Sequence, residues 1–366
     1  MRAARRPWLA LLLLACGFLS TATVRAEACR IAYDMGSSGI RAGASSGQRA
    51  PAAEIDFLAP LTAGRNLDET LDQTIAALNG LPEKGAFPAE CRRVAGGFSA
   101  WRLALQRGVN ELIPALRRIH ARSDVSLLVI PQKQEGIYGY VGAQELLGER
   151  LKTSHVLDIG GGSLQIAGAH SSYGATLGQK VWQRHLCQLF KKSGTPCVLQ
   201  PMRPEQLLAA RTLLQDKLSG LRSALPEPVS MTAISRPVTR GILPALLRST
   251  GSGIDKSGTD TSGFSLAQLS GVIEGLALLS PADTSELTGI APKFVPYLLS
   301  DMLLVEGVLQ ATGSDFLAVA EIDLTNLPGL LLDERAFAWG QRYDCYLERL
   351  QSMGLDAYDS DPATCH

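Results

Sequence analysis

The sequence predicts an α/β protein of two related halves facing each other across a cleft, on three observations. First, an apolar strand running into an aspartate, a glycine-serine turn and a second strand occurs twice, as CRIAYDMGSSGIRAGAS from residue 29 and as SHVLDIGGGSLQIAGA from residue 154. Second, short apolar strands alternate along the chain with stretches of helical periodicity. Third, 366 residues with 46% hydrophobic and 19% charged content suffice for one large or two medium domains with substantial cores, and do not describe a disordered chain.

The first element is a leader. Arg2, Arg5 and Arg6 precede an apolar run at 8–15, and small residues then lead to Val24-Arg25-Ala26, the order of a secretion signal (1–26) cleaved near Ala26. A membrane span needs about 18 or more apolar residues, and this run is broken by Gly17, Ser20 and Thr21. Leu13-Leu14-Ala15-Cys16 also reads as a lipoprotein processing site that would leave a lipid on Cys16, a second reading of the same segment. Export to the periplasm or the medium is the expectation.

Six further cysteines agree with an oxidising compartment. Proximity in sequence favours Cys187 with Cys197 and Cys345 with Cys365, leaving Cys29 for Cys91. A zinc site, the rival use, lacks any CxxC pair. The leader holds four of the 35 basic residues and none of the 35 acidic ones, so the rest of the chain is slightly acidic. Nucleic-acid binders usually carry a basic surplus, so no nucleic-acid partner is expected.

After the leader, 29–36 reads as a strand entering a glycine turn and 40–45 as the second strand of a hairpin. Leu67, Leu71, Ile75 and Leu78 recur at helical spacing, and a long helix is expected over 99–118, with Leu103, Leu112 and Leu116 on its apolar side. Residues 125–131 form a short buried strand ended by Pro131, and the second hairpin comes at 154–169. Helical pattern resumes at 205–221, VSMTAIS at 229–235 is a strand, and 249–264, rich in Ser, Gly, Thr and Asp, reads as a mobile loop. Helices at 265–279 and 294–312, a strand at 316–324 and a terminal helix at 332–353 complete the pattern. This divides the chain into halves at 27–150 and 151–332, with 333–366 placed to pack back onto the first.

Phosphate binding needs many donors aimed at one point, and glycine lets successive backbone N–H groups approach an anion closely. In DMGSSGIR the amides around Gly36, Ser37, Ser38 and Gly39 meet that need, with two hydroxyls and the charged fork of Arg41. In DIGGGS the amides of Gly160, Gly161, Gly162 and Ser163 offer a second cradle, and two such cradles facing each other would enclose a phosphate chain. Each is preceded by a carboxylate at a strand end, Asp34 and Asp158. Magnesium is usually held by one or two carboxylates plus waters and substrate phosphates, so Mg²⁺ is the expected cofactor. Hydrolysis also asks for a general base. Glu135, directly after the strand at 125–131 and next to Gly136, is the candidate.

At these residues the chain resembles the exopolyphosphatase/guanosine pentaphosphate phosphatase (Ppx/GppA) family of the actin-like ATPase superfamily, with echoes of the ecto-apyrases. DMGSSGIR is similar to the first phosphate motif of both groups, QEGIYGYVGAQELLG to the apyrase segment carrying the catalytic glutamate, and LDIGGGSLQI to the second phosphate motif. FSAWRLA at 98–104 is similar to a helix start of the exopolyphosphatases. The resemblance implies two actin-like (ribonuclease H-like) domains, Glu135 as base, Asp34 and Asp158 as organisers of hydrated magnesium, and Ser163 with Gln165 as water-positioning groups. It also implies Ser99 and Arg102 as phosphate contacts.

Departures bear on the substrate. Where the superfamily has a glycine turn beneath a nucleoside, this chain has RPVTRG, with Arg236, Pro237 and Arg240. That argues for inorganic polyphosphate, whereas EGIYGYV and Gln165 argue for nucleoside polyphosphates. An exported Mg²⁺-dependent phosphoanhydride hydrolase is the leading reading, and a catalytically weak polyphosphate- or nucleotide-binding sensor the alternative. A kinase would lack ATP outside the cell.

Overall fold

A computed structural model describes residues 29–226, 228–249, 262–320, 322 and 326–365. The expected leader with Cys16, and most of the Ser/Gly-rich stretch at 249–264, lie outside the described residues.

Two sheets form the frame. The first contains β1 (Arg30–Met35), β2 (Gly39–Ala44), β3 (Ala53–Glu54), β4 (Arg92–Gly97) and β5 (Ser126–Val129) in the order β3-β2-β1-β4-β5. The second contains β6 (His155–Ile159), β7 (Leu164–Gly168), β8 (Ser172–Ala175), β9 (Met231–Ala233), β10 (Ser262–Ser265) and β11 (Phe316–Val319) in the order β10-β11-β9-β6-β7-β8. Both begin as an antiparallel three-strand meander and extend from its first strand by parallel pairing, β1 to β4 to β5 and β6 to β9 to β11. The repeat reaches single residues. Asp34 pairs with Arg41 across the first hairpin, and Asp158 with Gln165 across the second.

Helices fill the parallel crossovers, as right-handed βαβ units require. The segment expected as one helix from 99 to 118 is two, Ser99–Arg107 and Val109–Ser123, parted at Gly108, whose backbone is extended. Glycine is among the poorest helix formers, so the break falls there at least cost. The terminal helix also divides, into Glu334–Gln341 and Tyr343–Met353, with Leu327–Leu332 before them. These three pack on the first sheet. Leu327, Leu330, Phe337, Trp339 and Tyr346 share a core with Ile31, Tyr33, Val94 and Leu128. Tyr343 Oη donates to the Leu127 carbonyl at 3.0 Å and Tyr346 Oη accepts from Val129 N at 2.8 Å. A second core holds Trp182, Leu214, Met302 and Leu304 against the second sheet.

QKQEGIYGYVGAQELL, to which the sequence reading assigned no element, is the helix Gln132–Leu147. Gly136 serves packing. A Cβ on Gly136 would meet the Ala167 side chain of β7 at 3.2 Å, so the helix lies directly against the second sheet while its Tyr138 sits in the first core. Asp333 ties it to the C-terminal segment: Oδ2 accepts from Tyr138 and Tyr358 hydroxyls, each at 2.6 Å, and Oδ1 caps the helix Glu334–Gln341.

Cys29 is bonded to Cys91, Cys187 to Cys197 and Cys345 to Cys365. Among the described residues no helix is long and apolar enough to cross a membrane.

Candidate functional site

The two glycine-serine turns come together because each closes the hairpin at the same end of its sheet. In the first, Gly36 N donates to the Gly39 carbonyl at 3.2 Å, and the carbonyls of Ser37 and Ser38 accept from Phe57 and Ile55. In the second, Gly160 N donates to the Ser163 carbonyl, while Gly160 and Gly161 carbonyls accept from Gln179 and Lys180 at the start of the helix Gln179–Leu189, each at 2.9 Å. The turns nearly touch. A Cβ on Gly162 would lie 3.0 Å from Ser99 Oγ and 3.4 Å from Ser37 Oγ, and those two hydroxyls are 2.5 Å apart. Gly178 is tighter still, since a Cβ there would meet the Gly160 carbonyl oxygen and Ser163 N at 2.4 Å. Gly178→Ala is therefore expected to lower stability by about 1–3 kcal/mol, as overpacking does, read as a loss of melting temperature.

A cavity of about 320 Å³ opens between the turns. Asp34, Glu135 and Asp158 all line it, with Gly36, Ser37, Ser38, Gly39, Arg41, Ser99, Gly160, Gly161 and Ser163 among its walls. The polar wall residues Glu54, Gln179, Lys180, Ser235 and Asn326 carry no role in the sequence reading. Arg236 lies on the wall as well, and Arg240 does not.

Beneath the cavity is a buried polar cluster. Arg102, 3% exposed, donates from Nη1 to the Ile130 carbonyl at 2.9 Å and from Nη2 to Glu135 Oε2 at 2.6 Å and Ser163 Oγ at 3.1 Å. Gln165, 2% exposed, donates from Nε2 to the same Glu135 Oε2 at 2.9 Å. Neither side chain lines the cavity. Arg102, placed among phosphate contacts by the resemblance, here spends its guanidinium on Glu135, and the Gln165 amide orients that carboxylate. Glu135 occupies the first turn of its helix, where the helix dipole favours negative charge.

Burial pushes the Glu135 carboxyl above its ordinary range, and the charge and hydrogen bond of Arg102 pull it back without cancelling the shift. Burial likewise pushes Asp34 up to about 6, against Arg41, with Glu135 adding to the rise and a hydrogen bond from Asn326 opposing it. The Arg41 guanidinium stands 4.0 Å from Asp34 Oδ2. Asn326 comes from the C-terminal segment, some 290 residues beyond Asp34 in the chain, and its Oδ1 is buried without a hydrogen-bond partner.

Among the described residues no group of three or more His, Cys, Asp or Glu side chains comes together to hold a metal. Two carboxylates on one cavity fit Mg²⁺, which completes its octahedron with waters and substrate phosphates.

The fold and site define a class: an α/β protein of actin-like fold with a cavity lined by two glycine-serine turns. No family model matches the chain. An uncharacterized protein of Streptomyces coelicolor is 26% identical over 227 residues, 62% of this chain and 66% of that protein, so the chain spans just under two thirds of that relative. Among solved structures, the Ppx/GppA family member of Aquifex aeolicus superposes with a TM-score of 0.60 at 17% identity, over 83% of this chain and 96% of that one. An exopolyphosphatase from Cytophaga hutchinsonii gives 0.59 at 16%, over 83% and 96%. The chain has the fold of the Ppx/GppA exopolyphosphatase structures.

Proposed function

We propose that this protein is an exported, magnesium-dependent hydrolase of phosphoanhydrides, releasing terminal phosphate from inorganic polyphosphate or nucleoside polyphosphates. One observation carries the reading: Glu135 shares a single cavity with Asp34, Asp158 and both glycine turns. The turns supply amides and hydroxyls for a chain of phosphates. Glu135 takes a proton from water as the water oxygen bonds to the terminal phosphorus, and the bridging P–O bond breaks with its electron pair left on the shortened phosphate chain. Arg102 and Gln165 both donate to Oε2, which leaves Oε1 to accept that proton. Asp34 and Asp158 would hold Mg²⁺, which when bound neutralises charge on the phosphate oxygens. Asn326 keeps Asp34 oriented.

Similarity of fold to exopolyphosphatases and the three disulfides support the hydrolase and the oxidising compartment. The test is a phosphate-release screen across polyphosphate, ATP, ADP, GTP and guanosine pentaphosphate with Mg²⁺. Release from at least one, lost on chelation, is expected; protein inert on all of them overturns the reading. Because Glu135 must be ionised to act and its pKa is raised, the rate falls with acidification at a higher pH than an ordinary glutamate would set.

A further inference from the structure

Lys180 is a cavity cation that no motif announces. It stands in the first turn of the helix Gln179–Leu189, its N–H bonded to the Gly161 carbonyl at 2.9 Å and its stem beside Gly161, where an added Cβ would lie 3.7 Å from Lys180 Cδ. Its Nζ is 3.6 Å from Asp56 Oδ2. Asp56 belongs to the other half of the molecule, on the segment after β3 whose backbone is bonded to the first turn: Ile55 N donates to the Ser38 carbonyl and Phe57 N to that of Ser37. The pair thus ties one cradle to the other.

The tie is weak. At 3.6 Å, with side chains 33% and 50% exposed, it lies beyond the 2.7–2.9 Å of a charge-assisted bond and in the class of surface pairs that contribute little. Contrast Arg102, buried and 2.6 Å from Glu135. Nor is Asp56 stranded if Lys180 leaves. Its Oδ1 accepts from Leu58 N at 3.1 Å and Ala59 N at 3.0 Å, and half of its side chain is in water.

We propose that Lys180 is a binding residue for a substrate phosphate where the cavity opens to solvent, and that Asp56 is its competitor, exchanged for phosphate on binding. A condensed phosphate offers Lys180 several negative oxygens against the single carboxylate of Asp56. The inference rests on the phosphate-binding part of the proposed function and requires no turnover.

The two partners of one ion pair then have opposite effects. Inorganic tripolyphosphate titrated calorimetrically into the mature chain is expected to bind Lys180→Gln about tenfold more weakly and Asp56→Asn about threefold more tightly. The double variant is expected to bind like Lys180→Gln alone, because removing the competitor helps only while the lysine is present. Lys180→Arg keeps the charge and stays within a few-fold of wild type, which separates lost charge from lost folding. Asp56→Asn and Lys180→Gln weakening binding alike, or Lys180→Gln leaving it unchanged, would overturn the exchange and leave the phosphate cradle standing. No binding by the wild-type chain would overturn both.

Discussion

Glu135→Gln is expected to lower phosphate release by about 10²- to 10⁴-fold, the usual contribution of a general base, while tripolyphosphate still binds. Glutamine is the informative replacement. Its amide oxygen can still accept from Arg102 and Gln165, which now converge on Glu135 Oε2, so the cluster keeps its shape and loses only the proton acceptor. Alanine would leave the buried Arg102 guanidinium without its partner and confound chemistry with stability. Removing the negative charge also relieves Asp34, whose carboxyl Glu135 pushes upward, so anion binding is expected to hold or tighten. The part of the acid decline that Glu135 sets disappears from the residual activity, and what remains is the part set by Asp34, whose carboxyl falls once Glu135 no longer pushes it upward. A variant retaining more than about a tenth of wild-type turnover would remove Glu135 from the base role. Wild-type protein that binds tightly in the calorimeter and releases nothing would select the sensor reading.

The parts of this site legible in the sequence are those that local chemistry dictates. A strand ending in Asp34 or Asp158 followed by glycines and serine must turn, and the short loop sets the hairpin register, so the Asp34–Arg41 and Asp158–Gln165 pairings follow from short-range rules. What sets the electrostatics was not legible. Arg102 and Glu135 are 33 residues apart and meet because their helices start just after the ends of the paired parallel strands β4 and β5; both sit in stretches whose periodicity says nothing of facing partners. Asn326 reaches Asp34 from the C-terminal segment, which folds back on the first sheet through Leu327 and Leu330. The helix bearing Glu135 was hidden for a different reason. Gly136 and Gly139 lower its intrinsic propensity, while Gly136 permits the close approach to β7 that compensates for it, and that gain exists only once the second sheet is present. Lys180 is the extreme case, an ordinary lysine in sequence that tertiary structure sets beside a glycine cradle.

Arg102→Leu is expected to destabilise the fold by about 3–5 kcal/mol near neutral pH, the cost of removing one partner from a buried ion pair, with a pH dependence that identifies the cause. In the wild type both the charge and the hydrogen bond of Arg102 hold the Glu135 pKa down against burial. Without them the carboxyl in the folded state rises further above its unfolded value. A carboxyl raised on folding contributes stability that is fully present below its unfolded pKa and is lost as pH rises through its folded pKa. The gap between wild type and variant is therefore smallest at the acid end, as Glu135 becomes protonated in both, and widens toward neutral and alkaline pH. Thermal melts across that range read it directly. A penalty constant with pH would mean that Arg102 acts through packing and its bond to the Ile130 carbonyl rather than through the charge on Glu135. If the leucine variant does not accumulate, Arg102→Lys gives the same test in milder form. It keeps the cation and loses the fork that serves Glu135, Ser163 and Ile130 together. The acid limb of the rate then moves to higher pH, because lysine cannot hold Glu135 ionised as firmly from the same site.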